Sequence, residues 1–105
     1  MSNIFDDLVN KQGWCPRRTT SGEFAWQIKD HPFLLELFYD RKCVVLGGDV
    51  LDLDRNYTYD NWYYNDNSEM SHEDNVKSSI SVAKEYLLNY IKSNGENYYV
   101  VFVFR

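Results

Sequence analysis

Residues Val44 to Tyr64 read VVLGGDVLDLDRNYTYDNWYY. Strand-forming Val and Leu come first, a polar Asp54-Arg55-Asn56 break follows, and a Tyr- and Trp-rich run closes the segment, so the stretch predicts a β-hairpin. Three residues suffice for such a turn, with Asn56 able to take the left-handed conformation. On that reading Leu53 faces Tyr57 and Leu51 faces Tyr59, while Asp52 sits opposite Thr58 and Val50 opposite Asp60. Leu51, Leu53, Tyr57 and Tyr59 then form an inward apolar face, and the other face is acidic and wet. Gly47 and Gly48 interrupt the first strand, where missing side chains predict a bulge, a bend or close approach of another backbone. A phosphate loop is excluded: no lysine follows the glycines, Asp49 comes next, and the segment after it is strand-like where a phosphate loop would open a helix.

Working back from the hairpin, Asp30 or His31 can cap a helix with Pro32 in its first turn, where the missing N–H costs little. Leu34, Leu37, Phe38 and Arg41 share a stripe on it, with Phe33 beside them, and the helix ends near Lys42. Glu23 to Ile28, EFAWQI, predicts a short half-buried edge strand. CPRRTTSGE before it reads as a polar loop, and Ser2 can cap a short N-terminal helix with Ile4, Phe5, Leu8 and Val9 on one face, stopped at Gly13. Working forward, Asn65 to Met70 is a polar loop. Ser71 caps the longest element, with Asp74 completing a loose capping box. Val76, Ile80, Ala83, Leu87 and Ile91 recur at helical steps until Asn94 and Gly95 end it. Tyr98 to Phe104, YYVVFVF, predicts a strand inside the sheet, since an exposed edge of that composition invites aggregation. The expected fold is α+β: one domain over residues 1–105, with a mostly antiparallel sheet of about four strands, two main helices and the short N-terminal helix.

Composition narrows the function classes. The chain has 105 residues, 44% of them hydrophobic and 26% charged, as an ordinary globular domain does. Its net charge of -5 is concentrated. Between Asp49 and Asn75 stand Asp49, Asp52, Asp54, Asp60, Asp66, Glu69, Glu73 and Asp74 against Arg55 alone. Such a field repels nucleic-acid phosphates and attracts a basic partner. No apolar run is long enough to span a bilayer, and the N-terminus resembles neither a secretory signal nor a transit peptide, so a cytoplasmic protein without membrane or nucleic-acid partners is expected. Cys15 and Cys43 lack CxxC spacing and read as isolated thiols.

Positive signs of chemistry are missing. His31 and His72, the only histidines, each stand near a helix start. Asp49, Asp52 and Asp54 resemble a calcium loop superficially but lack its central Gly and closing Glu. Neither a nucleophile elbow nor a marked carboxylate pair occurs. No catalytic residue, metal or cofactor is therefore expected. Recognition is the better reading, because Tyr57, Tyr59, Trp62, Tyr63 and Tyr64 lie within one short run and Tyr and Trp are favoured anchors at interfaces. About half of them belong in the core; Trp62 or Tyr64 is expected to project beside Asp52 and Asp60. Asp52, Asp54, Asp60, Asp66 and Glu69, with Trp62 and Tyr64, make up the candidate binding surface.

LGGDVLDL, YDNWYY, the helical SVAKEYLLNYI and the terminal apolar strand together resemble the immunity protein 40 family, small antidotes encoded beside toxins in bacterial polymorphic toxin systems. The resemblance covers Trp26 to Val103, and Leu46 to Val50 and Tyr59 to Tyr63 are its most specific residues. It implies neutralisation of a cognate toxin domain by tight, non-covalent binding without catalysis, and it transfers no binding residues. A basic toxin surface is the expected partner, a nuclease cleft being one example, with the antidote as a monomer. The rival reading is a carbohydrate- or small-ligand-binding module that uses exposed Tyr and Trp with Asp and Asn.

Overall fold

The turn that organises the sheet is tied by a single side chain. Asp52 Oδ1 accepts the backbone N–H groups of Asp54 (2.9 Å) and Asn56 (3.0 Å), and the Asp52 carbonyl accepts Arg55 N–H at 2.9 Å. An Asp side chain reaching its own backbone two residues on is the usual nucleus of such a turn. Arg55, at φ 64°, takes the left-handed position expected at Asn56. The loop is three residues long, as the sequence suggests, but lies one residue earlier, so Leu51 pairs with Tyr57 instead of Tyr59.

The computed structural model describes the backbone of residues 17–18 and all of residues 24–105. Its elements run β1 (Arg17–Arg18), β2 (Phe24–Gln27), a 3-10 turn (Ile28–Asp30), α1 (His31–Asp40), β3 (Val45–Leu51), β4 (Tyr57–Tyr63), α2 (His72–Asn94) and β5 (Tyr99–Phe104). The strands form one antiparallel sheet in the order β1-β2-β5-β3-β4. Four of them are the expected sheet, and β5 lies inside it between β2 and β3. The fifth is the two-residue β1, which continues the sheet where a polar loop was expected. The expected N-terminal helix and Cys15 lie outside the described residues.

Both helices pack on one face of the sheet. Leu34, Leu35 and Phe38 from α1 meet Ala83, Leu87 and Tyr90 from α2 over Trp26, Val45, Val50, Val100 and Phe102. Phe38 places its ring 5.2 Å from Phe102 and 4.8 Å from Phe104. On the opposite face Ala25, Leu51 and Val101 form a smaller buried cluster.

The ends of α2 follow the sequence closely. Ser71 Oγ accepts Asp74 N–H at 3.1 Å to start α2, and Gly95 at φ 90° donates to the Ile91 carbonyl to end it. The end of α1 uses Lys42 in the left-handed position (φ 55°), with Cys43 N–H donating to the Phe38 carbonyl at 2.8 Å. That is the hydrogen bond of a Schellman motif, made without its customary glycine. Asp30 makes no side-chain cap, and His31 is buried, its Nδ1–H directed to the Ile28 carbonyl at 2.9 Å. Phe33, placed beside the buried stripe by periodicity, is 62% exposed; Leu35 is buried in its place.

Candidate functional site

β4 is an edge strand, bonded to β3 alone, and its middle is irregular. Between the Leu51–Tyr57 and Asp49–Asn61 pairs, β3 contributes one residue while β4 contributes three. Thr58 accounts for this bulge: its hydroxyl donates to the Val50 carbonyl at 2.8 Å and accepts Asp60 N–H at 3.2 Å, taking over bonds that a regular ladder would make. Tyr59 then adopts φ 71°, a conformation that costs a non-glycine residue about 1–2 kcal/mol. Asn61 Nδ2 braces the bend by donating to the Tyr59 carbonyl at 3.2 Å. Beyond the bulge the pairing returns to the register that the sequence suggests.

This geometry redistributes the aromatics. Tyr59, expected on the apolar inner face, is 89% exposed, and Leu53 (60%) and Tyr57 (42%) are also at the surface, so only Leu51 of that proposed face is buried. Trp62, proposed as a projecting anchor, is instead a core residue. Its ring stacks on Tyr86 at 5.0 Å and meets Phe102 edge-on at 6.0 Å. The space for it comes from Gly48, its partner across the ladder, where a Cβ would stand 2.5 Å from the Trp62 ring and 2.6 Å from the Val101 carbonyl oxygen. Gly47, at φ 151°, would place a Cβ against the Trp62 carbonyl oxygen. Both glycines are thus explained by close approach, and a β3 bulge against β5 lies just before them. Tyr63 points away from the helices and is 74% exposed. Across Gly47 it faces Val103, also exposed.

The other candidate residues divide by what holds them. Tyr64 is half-buried, and its hydroxyl donates to Asn75 Oδ1 at 2.8 Å. Asn75, buried on α2, also accepts Asn67 N–H (3.0 Å) and donates to the Asn67 carbonyl (2.9 Å), so one amide fixes the whole β4–α2 connection. Nothing in the helical periodicity marked it. Asp66 pairs with Arg105. Asp52 closes the turn described above. Asp60 is exposed, yet its Oδ2 accepts the Tyr90 hydroxyl at 2.8 Å. Burial and that bond push the Tyr90 phenol up to about 12, and burial raises Tyr86 as well, with the Asp60 charge adding to it. Asp54 and Glu69 are simply exposed.

The exposed part of β4 and its turn carries Leu53, Tyr57, Tyr59 and Tyr63, with Asp54, Asp60 and Glu69 exposed in the same stretch of chain. It suits contact with a second macromolecule. Cys43, the free thiol on β3's approach, is buried and its pKa is raised by that burial, against the lowering effect of Arg41, which is unsuited to a nucleophile. Among the described residues no group of three His, Cys, Asp or Glu could hold a metal, and no helix is long and apolar enough to cross a membrane.

Comparison with curated proteins and with solved structures finds no match. A scan against family models does: the model described as Immunity protein 40 matches residues 17–104. The match begins ahead of Trp26, where the sequence resemblance starts, and takes in β1 and every later element. It spans the glycine pair that admits Trp62, the bulged edge strand and the capped helix beneath them, and on that extent the chain belongs to the immunity protein 40 family.

Proposed function

We propose that this protein binds a cognate bacterial toxin domain and neutralises it without catalysis, in the cytoplasm of the cell that makes both. Membership of the family implies the toxin partner. The observation that carries the choice of surface is the strip on β4 and its turn, where Leu53, Tyr57, Tyr59 and Tyr63 are all exposed on an edge strand. Exposed aromatics are costly to leave in water unless a partner covers them, and they are typical hot-spot residues when it does. Asp54 and Glu69, exposed in the same stretch of chain, favour a basic toxin surface, speeding encounter in a salt-dependent way. Trp62 supports the strip from beneath, and Asp52, Asp60, Tyr64 and Asp66 hold its shape; those four remain in the proposed contact region as residues that also make internal bonds.

The test is co-expression with the toxic domain encoded beside this gene, scored by survival and co-purification. Rescue with a co-purifying complex is expected. Absence of both sinks the proposal, and rescue without a complex replaces binding by some other protection.

A further inference from the structure

Beside the edge strand, the exposed side of α2 carries a shallow concavity of about 460 Å³ lined by Glu85, Tyr86, Asn89 and Tyr90, with Val82 and Ser93 at its ends. Its floor is aromatic. Tyr86 and Tyr90 stack with ring centroids 6.0 Å apart and planes at 28°, continuing the stack that Trp62 begins beneath Tyr86. Glu85 is the one charged group among its lining residues, the other polar side chains there, the tyrosines apart, being the neutral Asn89, Ser93 and Asn94. The Tyr90 hydroxyl is committed as a donor to Asp60 Oδ2 at 2.8 Å, which fixes a carboxylate beside the concavity, and Glu85 lies exposed on the lining. No Lys or Arg lines it, and Asp60 and Glu85 make no ion pair among the described residues. Aromatic faces are electron-rich and attract cations, and two unneutralised carboxylates add to that attraction. A planar guanidinium can lie on a ring and hydrogen-bond a carboxylate with its edge, which a compact ammonium does less well.

We propose that this concavity seats an arginine side chain of the protein partner, its guanidinium against the half-buried Tyr86, with the buried Tyr90 behind it, and hydrogen-bonded to Asp60 and Glu85. The proposal rests on the toxin-binding reading for the source of that arginine, and it extends the contact surface from β4 around to α2. Asp60 links the two, since it follows the exposed Tyr59 in sequence and is held by Tyr90.

The experiment is an NMR titration of the full chain with argininamide, and in parallel with its neutral analogue citrullinamide, with lysinamide and with a simple hexose. Argininamide should give saturable shifts centred on Tyr86, Tyr90 and Glu85, with Kd in the millimolar range as befits one exposed side chain. Lysinamide should bind about threefold more weakly, citrullinamide and the hexose should not saturate, and Glu85→Gln and Asp60→Asn should each weaken argininamide by about threefold to fivefold. Asp60→Asn retains an acceptor for Tyr90, and Glu85 is exposed, so both variants should fold, as checked by circular dichroism. No saturation, equal shifts with citrullinamide, shifts centred elsewhere, or a preference for the hexose would overturn the seat. A second arm keeps the two proposals apart. If a toxin complex forms and Glu85→Arg leaves its Kd unchanged, the seat is wrong and the toxin reading stands. If argininamide seats as described while no toxin is captured, the toxin reading fails and the seat stands.

Discussion

At the scale of single residues, Tyr59 carries the sharpest conflict between stability and use. Its side chain is 89% exposed and adds nothing to the core, while its backbone sits at φ 71°. Glycine would relieve about 1–2 kcal/mol of strain and give back about 0.5–1 kcal/mol through the freer unfolded chain. Tyr59→Gly should therefore leave the urea midpoint unchanged or slightly raised. If Tyr59 is a hot spot, the same variant should lose about 2 kcal/mol of toxin affinity, roughly 30-fold in Kd by calorimetry. A stability loss would show that the ring packs somewhere, and an unchanged Kd would remove it from the interface. Gly48 makes the opposite case. A Cβ there meets the Val101 carbonyl oxygen at 2.6 Å as well as the Trp62 ring, and a backbone atom cannot step aside as a side-chain end can. Gly48→Ala should cost about 3 kcal/mol by urea denaturation. A loss below about 1 kcal/mol would mean that Trp62 has another place to go.

Among the elements, α2 was the most legible and the hairpin the least, for physical reasons. A helix repeats its environment every few residues, so Val76, Ala83 and Leu87 announce a buried stripe and Ser71 and Gly95 its ends. The sequence reading still missed Asn75, Ser79 and Tyr90, because a polar side chain in a buried stripe has meaning only through its partner on another element. Ser79 shows this: its hydroxyl accepts Val45 N–H and donates to the Val76 carbonyl, both at 2.9 Å, joining α2 to the start of β3. Removing it strands a buried N–H, so Ser79→Ala should lower stability by about 1–3 kcal/mol and speed hydrogen exchange at Val45 more than at Val50. Equal exchange at both would show that another acceptor takes over. In the hairpin, alternation set the expected faces, but a bulge breaks alternation and Thr58, which builds it, looks like any strand threonine. Alternation accordingly puts Leu53, Tyr57 and Tyr59 inside and lets Trp62 or Tyr64 project. The pairing of Gly48 with Trp62 would have revealed the inward ring, but only once the register was known.

Over the whole molecule, packing between elements sets a pH window: among the described residues His31 bounds its acid side, and Tyr90, with the buried Cys43 and the half-buried Tyr86, its alkaline side. His31 is buried between the 3-10 turn and the helices, its pKa lowered first by desolvation and also by the Lys84 charge, against the raising effect of its bond to Ile28. The unfolded chain therefore binds a proton near 6.5 that the folded one resists, so stability is full above that value and falls as pH drops towards the lowered folded pKa. Tyr90 bounds the other side. Its pKa rises from 10.0 to about 12 through burial and its bond to Asp60. A raised folded pKa means that its contribution is complete below about 10 and lost as pH climbs through about 12. Urea denaturation from pH 5 to 12 should give a plateau between the two limbs. Tyr90→Phe should lower that plateau by about 1–2 kcal/mol, the worth of a hydrogen bond to a part-exposed carboxylate, and the difference from wild type should shrink as pH rises beyond 10. A difference that stays constant to pH 12 would show that the hydroxyl is not titrating against Asp60, and would loosen a bond that ties the helix layer to the bulged edge.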